Sequence, residues 1–287
     1  MIDPSLIFPA MIDGLAFAML LFLIASGFSI IFGLLGILNF AHGAFFMLGA
    51  YMGVTIFQFS GNFVLAMIGG SLFGLVLGMV VEFLTLRRIR GNPIAQIMLT
   101  LGYLLIFTQI VLIIWGRTPY IFYPTGLTGP MIVFGSTLFV YRVFLIVFGL
   151  VAALLTYVFL TRTRLGTIVR AGTEDSEMVE ALGINVKKIF TLVFGFGTAL
   201  AALGGVVAVP WLAASPDMGT TWLFISLVVT VVGGLGSFKG AFYGSLFIGI
   251  LHTLSEYFFP QVTFVIDFLA MTVILLLRPE GFFGEKK

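Results

Sequence analysis

Cysteine is absent from the 287 residues, which excludes disulfides, thiolate metal sites and a cysteine nucleophile and leaves the redox compartment open. Charge is scarce: 9% of residues are Asp, Glu, Lys or Arg, against about 25% in a soluble globular chain, and 60% are hydrophobic. So few polar side chains cannot cover a folded surface in water, and the medium around this chain is lipid. No Lys or Arg precedes Arg87. The N-terminal region therefore lacks the basic start of a cleaved signal peptide, and its first apolar run is expected to remain as a span. A His-Glu-x-x-His motif and paired acids at catalytic spacing are also missing, and His252 and Glu256, four apart on one helical face, are two metal ligands without a third. An intramembrane enzyme is rejected on these grounds. So is a one-chain ATP-driven pump: Gly233 to Gly240 comes nearest to a P-loop, but Phe238 stands before Lys239 and the Gly-Lys-Ser/Thr core is lacking.

What is abundant agrees. Thirty-three Phe meet hydrocarbon at little cost, and 35 Gly let transmembrane helices approach closely or break. Gly14 to Leu38 carries no charge, and at about 1.5 Å per residue it crosses a hydrocarbon core of about 30 Å with some tilt. Further apolar runs at Ala44 to Phe59, Phe63 to Val81, Ile94 to Trp115, Val143 to Leu160, Ile189 to Val209, Trp222 to Val232, Ala241 to Phe259 and Val262 to Leu277 bring the candidates to nine. The second and seventh are short and lie beside Gly-rich breaks, as half-helices or re-entrant segments do. The expected fold is all-α: a polytopic transmembrane helical bundle of roughly eight to ten spans, short or broken helices included, forming one membrane domain over residues 1–287.

Basic residues orient this bundle. Arg87, Arg88 and Arg90 form one cluster, Arg162, Arg164, Arg170, Lys187 and Lys188 a second, and Arg278, Lys286 and Lys287 a third. Strict alternation puts all three on one side together with Lys239, leaving Arg117 and Arg142 opposite. The positive-inside rule makes the basic side, and with it the C-terminus, cytoplasmic, while nine spans put the N-terminus outside by parity. The loop 116–141, with Pro119, Pro124, Gly126, Gly129 and Pro130, is then external and is expected to pack as an irregular cap. Trp115, Tyr120 and Tyr123 at its near end read as interfacial aromatics, with docking of an external partner as the alternative. Of the acids within spans, Glu82 is expected near the cytoplasmic end, paired with Arg87 or exposed at the interface. Asp267 is deeper, and is either functional or paired with a neighbouring helix.

The stretch 162–188 holds nine of the chain's 26 charged residues (14 basic, 12 acidic), which makes it the sizeable cytoplasmic feature. Thr173 can cap a short helix whose first turns hold Glu174, Asp175 and Glu177, acids suited to a helix N-terminus. Gly183 supplies a stop just past the helix end. Met178 and Leu182, four apart with Val179 beside them, give this helix one apolar and one acidic face. An ordinary solvated loop fits the same periodicity.

The run Arg170-Ala171-Gly172-Thr173-Glu174-Asp175-Ser176-Glu177-Met178-Val179-Glu180-Ala181-Leu182-Gly183-Ile184-Asn185 resembles the coupling loop of ABC importer permeases of the branched-chain amino acid class. Asn39-Phe40-Ala41-His42-Gly43-Ala44-Phe45, Gly233-Gly234-Leu235-Gly236-Ser237-Phe238-Lys239-Gly240 and Arg278-Pro279-Glu280-Gly281-Phe282-Phe283-Gly284 are similar to recurrent segments of the same family, in order from the first span to the last. The resemblance implies that Arg170, Gly172, Thr173, Glu174, Glu177, Glu180 and Gly183 couple to a cytoplasmic ATPase, the short helix entering a groove on it. It further implies two such ATPase subunits, which bind the ATP so that this chain carries no cofactor. It also implies a second permease subunit paired with this chain, which is similar to the shorter of the two, and an extracytoplasmic solute-binding protein that delivers the solute. The setting implied is a bacterial or archaeal cytoplasmic membrane, with lipid around the chain and no nucleic acid partner. The solute implied is a branched-chain or similar small neutral amino acid, with urea and short amides carried by close relatives.

Phe40-Ala41-His42-Gly43-Ala44-Phe45 and Phe238-Lys239-Gly240-Ala241-Phe242 share a pattern that fits a parallel repeat, and fits chance as well among so many Gly and Phe. An interrupted helix exposes backbone groups that protein, water or solute must satisfy. That makes Asn39, His42, Gly43, Gly233, Gly234, Gly236 and Ser237 candidates for the translocation pathway. The competing reading is that the glycines only permit close packing and that His42 makes a structural hydrogen bond, the role favoured for it. A self-sufficient secondary transporter or channel for a small neutral solute such as urea or an amide is the rival class, since its spans and breaks look alike. The acidic cytoplasmic helix separates the two, being needed only where an ATPase drives transport.

Overall fold

The computed structural model describes residues 7–133, 136–174 and 176–284, with the side chains of 133, 173, 174, 176 and 177 outside that description. In chain order the elements are α1 (Ile7–Leu35), α2 (His42–Ser60), α3 (Phe63–Leu84), α4 (Pro93–Ile114), β1 (Pro130–Val133), β2 (Ser136–Phe139), α5 (Val140–Arg162), α6 (Arg164–Glu174), α7 (Ser176–Ala181), α8 (Val186–Leu212), α9 (Met218–Gly233), α10 (Phe238–Phe258) and α11 (Thr263–Leu277). Several starts are written in the sequence as caps. Asn62 Oδ1 accepts from the backbone N–H of Val64 and Leu65, Asn92 Oδ1 from Ala95 just after Pro93, and Asn185 Oδ1 from Lys188.

The most apolar stretches of α1 and α8 are 89% and 83% buried, those of α4 and α11 only 22% and 11%, so the first pair is the core and the second faces outward. A helix that is apolar all round has to be enclosed by other helices or by lipid. Small residues let α3 lie against α8: Gly70, Gly74 and Gly78, spaced by four, meet Val206, Ala202 and Thr198, and the Thr198 hydroxyl donates to the Gly74 carbonyl at 2.9 Å. In lipid, where apolar burial gives helices no reason to associate, such close backbone approach and interhelical hydrogen bonding supply the attraction.

Polar contacts define the two ends of the bundle. Asp13 accepts from Arg142 Nε at 2.8 Å and from the Tyr257 hydroxyl at 3.0 Å, gathering the starts of α1 and α5 and the end of α10. At the other end Gly172 of α6 lies against Leu34 and Gly236 lies against Gly33. Arg87, Arg88, Arg90, Arg162, Arg164, Arg170, Lys187, Lys188 and Arg278 fall at this second, basic end, as the alternation of spans requires; Lys286 and Lys287 lie outside the described residues.

The all-α bundle of membrane-crossing helices is as expected, with the number of spans at the low end of eight to ten. Among the described residues seven helices are long and apolar enough to cross a bilayer, while α9 and α10 pass only together and are bent by 116° at their break, an eighth span if the pair is counted as one. The seventh apolar run, read as short and beside a Gly-rich break, is the first limb of a bent pair whose second limb is the eighth run. Because the turn exceeds a right angle, α10 heads back along α1, from Gly236 at Gly33 to Tyr257 at Asp13.

The cap over 116–141 is not wholly irregular. It contains an antiparallel hairpin with Pro130 opposite Phe139. Trp115 and Tyr120 turn inward instead of lining an interface: both rings pack on Tyr51, at 5.3 and 6.1 Å between centroids, and Trp115 Nε1 donates to the Thr55 hydroxyl. Tyr120 also exchanges two backbone hydrogen bonds with Ala214, in the link between α8 and α9.

Candidate functional site

The basic end carries the polar segment singled out in the sequence. A helix starting at Thr173 is the expectation; instead α6 already runs from Arg164 to Glu174, and α7 follows from Ser176, Asp175 between them lying outside the described residues. Thr173 sits in the last turn of α6 and not at a helix start. The cap lies ten residues earlier, where the Thr163 hydroxyl accepts from Gly166 N–H at 3.0 Å. The stop is as expected: Gly183 has φ +82°, a backbone that costs a residue with Cβ strain, and its N–H donates to the Glu180 carbonyl at 2.9 Å.

The face of α7 is divided. Val179 is buried, whereas Met178 and Leu182 are 59% and 73% exposed beside an exposed Glu180. Two large apolar side chains thus point away from the bundle at its basic end, on a helix held from behind by Val179. Gly172 is buried with the Leu34 side chain where its Cβ would lie. Arg170 is exposed, its guanidinium 3.5 Å from the Thr161 carbonyl. The side chains of Thr173, Glu174 and Glu177 lie outside the described residues.

The first break follows α1. Residues 36–41 turn back into the bundle, and α2 begins beside the middle of α1, not at its end: His42 Nε2 lies 2.9 Å from the Ile24 carbonyl, and its ring meets Phe28 edge-on at 5.4 Å. The favoured structural bond for His42 is therefore present. Asn39 Oδ1 accepts from Ala41 N–H at 3.1 Å and the Asn39 carbonyl from His42 N–H at 3.0 Å, which starts the helix. Asn39 Nδ2 and His42 Nδ1 are buried with no partner among the described residues.

The second break is closed by other means. Ser237 Oγ caps α10 by accepting from Gly240 N–H at 3.0 Å. Phe282 and Phe283, in the segment after α11, donate their backbone N–H to the carbonyls of Val232 and Gly233, both at 2.9 Å. Two groups freed at the end of α9 are satisfied in this way. The same tail stacks Phe283 on Tyr243 at 5.1 Å and sets Phe282 edge-on to Phe247 at 5.7 Å.

The glycines named as pathway candidates lie at close backbone contacts. A Cβ on Gly43 would strike the Gly219 carbonyl, one on Gly233 the Gly240 carbonyl, one on Gly234 the Gly284 backbone, and one on Gly236 the Gly33 backbone. Close approach of backbones explains all four. A cavity of about 230 Å³ lies at the other end of the bundle, between the cap and α8, and is lined by Tyr123, Leu127, Phe139, Arg142 and Trp211 among others.

Three polar contacts have partners that the sequence does not name. Glu82 is buried and bound to Arg90, not to Arg87, and to Thr191 of α8. Asp267 pairs with His252 Nδ1 at 2.6 Å, the neighbouring-helix alternative, and the imidazole stacks on Phe17 at 4.7 Å. Arg142 bonds Asp13, 129 residues away, and lies 3.7 Å from the Trp211 ring centroid. Thr191, His252 and Asp13 stand on helices other than those of the groups they meet, where spacing along the chain carries no signal, while Arg90 lies in the turn after α3, eight residues from Glu82.

Residues 10–277, from α1 to the end of α11, match the family described as branched-chain amino acid transport system, permease component. The chain belongs to this family. Among its permeases, the high-affinity branched-chain amino acid transport system permease protein BraD of Pseudomonas aeruginosa is 28% identical, the alignment covering 96% of this chain and 95% of that one. The corresponding LivH protein of Escherichia coli K12 is 26% identical over 96% of this chain and 94% of its own. A solved structure described as PsaBC from Streptococcus pneumoniae in complex with Fab has a chain of the same fold, with a TM-score of 0.50, 16% identity, and coverage of 92% of this permease and 89% of that chain.

Proposed function

We propose that this permease is the membrane-spanning subunit of a binding-protein-dependent ABC importer, carrying branched-chain or similar small neutral amino acids into the cytoplasm. The observation that carries this reading is α7: a short helix at the basic end that presents Met178 and Leu182 outward while Val179 anchors it. A transporter working alone has no use for an apolar, partly acidic projection there, whereas an ATPase groove does. The family match supports the solute class.

In this reading ATP is bound by two separate ATPase subunits and the chain itself needs no cofactor. The basic end faces the cytoplasm of a bacterial or archaeal cell by the positive-inside rule, with the tail after α11 on that side and the start of α1 outside. A second permease subunit covers part of the outward face, and a solute-binding protein meets the cap at 116–141. ATP-driven closure of the ATPases pushes α6–α7, and the bundle alternates its access.

The test is purification of the complex from native membranes followed by reconstitution with the cognate binding protein. ATPase subunits and a second permease are expected to come with the chain, and leucine, isoleucine or valine uptake is expected to need ATP inside. M178D/L182D is expected to release the ATPases from a bundle that remains folded. ATP-independent uptake by the chain alone overturns the reading.

A further inference from the structure

At the foot of α8 lies a buried polar joint that neither the cap nor the breaks use. Glu82, in the last turn of α3, is fully buried with both carboxylate oxygens engaged, Oε1 by Arg90 Nη2 and Oε2 by the Thr191 hydroxyl. Arg90 ends the 3-10 turn Leu86–Ile89 that joins α3 to α4, and its guanidinium lies 4.3 Å from the ring centroid of Phe190. Phe190 and Thr191 belong to the second turn of α8, which only residues 182–185 separate from α7. That short link is stiffened where Asn185 caps α8.

A carboxylate removed from water stays charged only with partners, and losing one leaves an uncompensated buried charge. The joint is therefore held more firmly than an exposed ion pair. The α3–α8 seam runs inward from it, through Gly78 on Thr198 and Gly74 on Ala202. The Thr191 hydroxyl has a second acceptor, the Lys187 carbonyl at 3.1 Å, so its release from Glu82 does not leave it unbonded.

We propose that Glu82, Arg90 and Thr191 are positioning residues that carry the displacement of α6–α7 into the bundle, by making the end of α3, the turn before α4 and the foot of α8 move as one body. This inference rests on the reading of α6–α7 as the ATPase contact. A push on α7 enters α8 through residues 182–185. With the joint closed, the foot of α8 takes the end of α3 with it; with the joint open, that foot flexes below the Gly78–Thr198 contact while the seam above it stays in place, and the ATPases cycle without moving the rest of the bundle.

The measurement is amino acid imported per ATP hydrolysed by the full complex in proteoliposomes, using whichever of leucine, isoleucine and valine the native complex takes up. T191V and E82Q are expected to lower this ratio about five- to ten-fold while the ATPases still co-purify in native amounts. T191S, which keeps the hydroxyl, is expected to restore it. A merely structural role lowers the yield of complex and leaves the ratio alone. Since burial makes E82Q able to unfold the chain, a second variant keeps the proposal testable: E82C/T191C, in a sequence without other cysteines, bridged by a short thiol cross-linker. The bridged complex is expected to transport at the native ratio, because the joint stays closed through the cycle. A native ratio in T191V, or transport abolished by the bridge, overturns the inference. If the native chain brings down no ATPase, the functional reading itself fails; if the ATPases bind and every variant keeps the native ratio, this inference alone fails.

Discussion

The two helix breaks lie at either end of α9, whose first turn packs Gly219 on Gly43 and whose last residue, Gly233, packs on Gly240, yet they are stabilised in opposite ways. At the second break a serine cap, two backbone bonds from the tail and two aromatic contacts account for the freed groups. At the first, Asn39 and His42 each keep a buried side-chain nitrogen without a partner among the described residues. A buried polar atom left unpaired costs about 1–3 kcal/mol. The second break is thus a finished structural turn, and the first retains hydrogen-bonding capacity that a passing zwitterion, water or a changed helix position is able to use.

The comparison is broken most severely through the glycines, where the breaks are alike. G43V and G233V each drive a side chain into a backbone carbonyl that cannot yield, and both are expected to cost about 3 kcal/mol or more. Loss of the monodisperse peak in size-exclusion chromatography of detergent-solubilised protein checks this. F282A/F283A comes next: it removes two aromatic contacts from the second break only, with an expected loss of about 2 kcal/mol, read as a lowered Tm. Transport below that Tm is expected to be near native.

The sharpest comparison has the smallest effect on stability. S237A and N39A each remove one helix-start hydrogen bond and are expected to cost about 1 kcal/mol alike. Uptake at a temperature where both remain folded is expected to separate them, S237A staying close to native and N39A losing most of its activity. Equal uptake by the two variants would remove the functional distinction between the breaks.

Much of this was legible in the residues. Apolar runs located the helices because lipid leaves no other choice for them. Gly183 marked the end of α7 because few residues tolerate its backbone, and the basic clusters shared one end of the bundle. The failures have a common cause. Glu82 was expected to meet Arg87, five residues on, but the 3-10 turn rotates Arg90 toward α8 instead. The placement of Thr173 missed because an earlier threonine, Thr163, had already started a helix that runs through it. The glycine-rich runs were correctly seen as breaks, but whether a break lines a path or closes a seam depends on what lies opposite. Here that was Gly219, Gly284 and Gly33, far along the chain, and Gly240, at the other end of the same glycine-rich run as Gly233.

The paired backbone bonds between Tyr120 and Ala214 give α9 an unusual mechanical situation. Its entry is tied to the cap and its exit to the tail after α11, so both of its ends are moored to segments outside the bundle's helices. A strut fixed at two such moorings reports on both faces of the membrane at once. Any displacement of the cap that keeps those bonds shifts the link into α9 and bears on the residue that α9 presses, Gly43, deep beside α1.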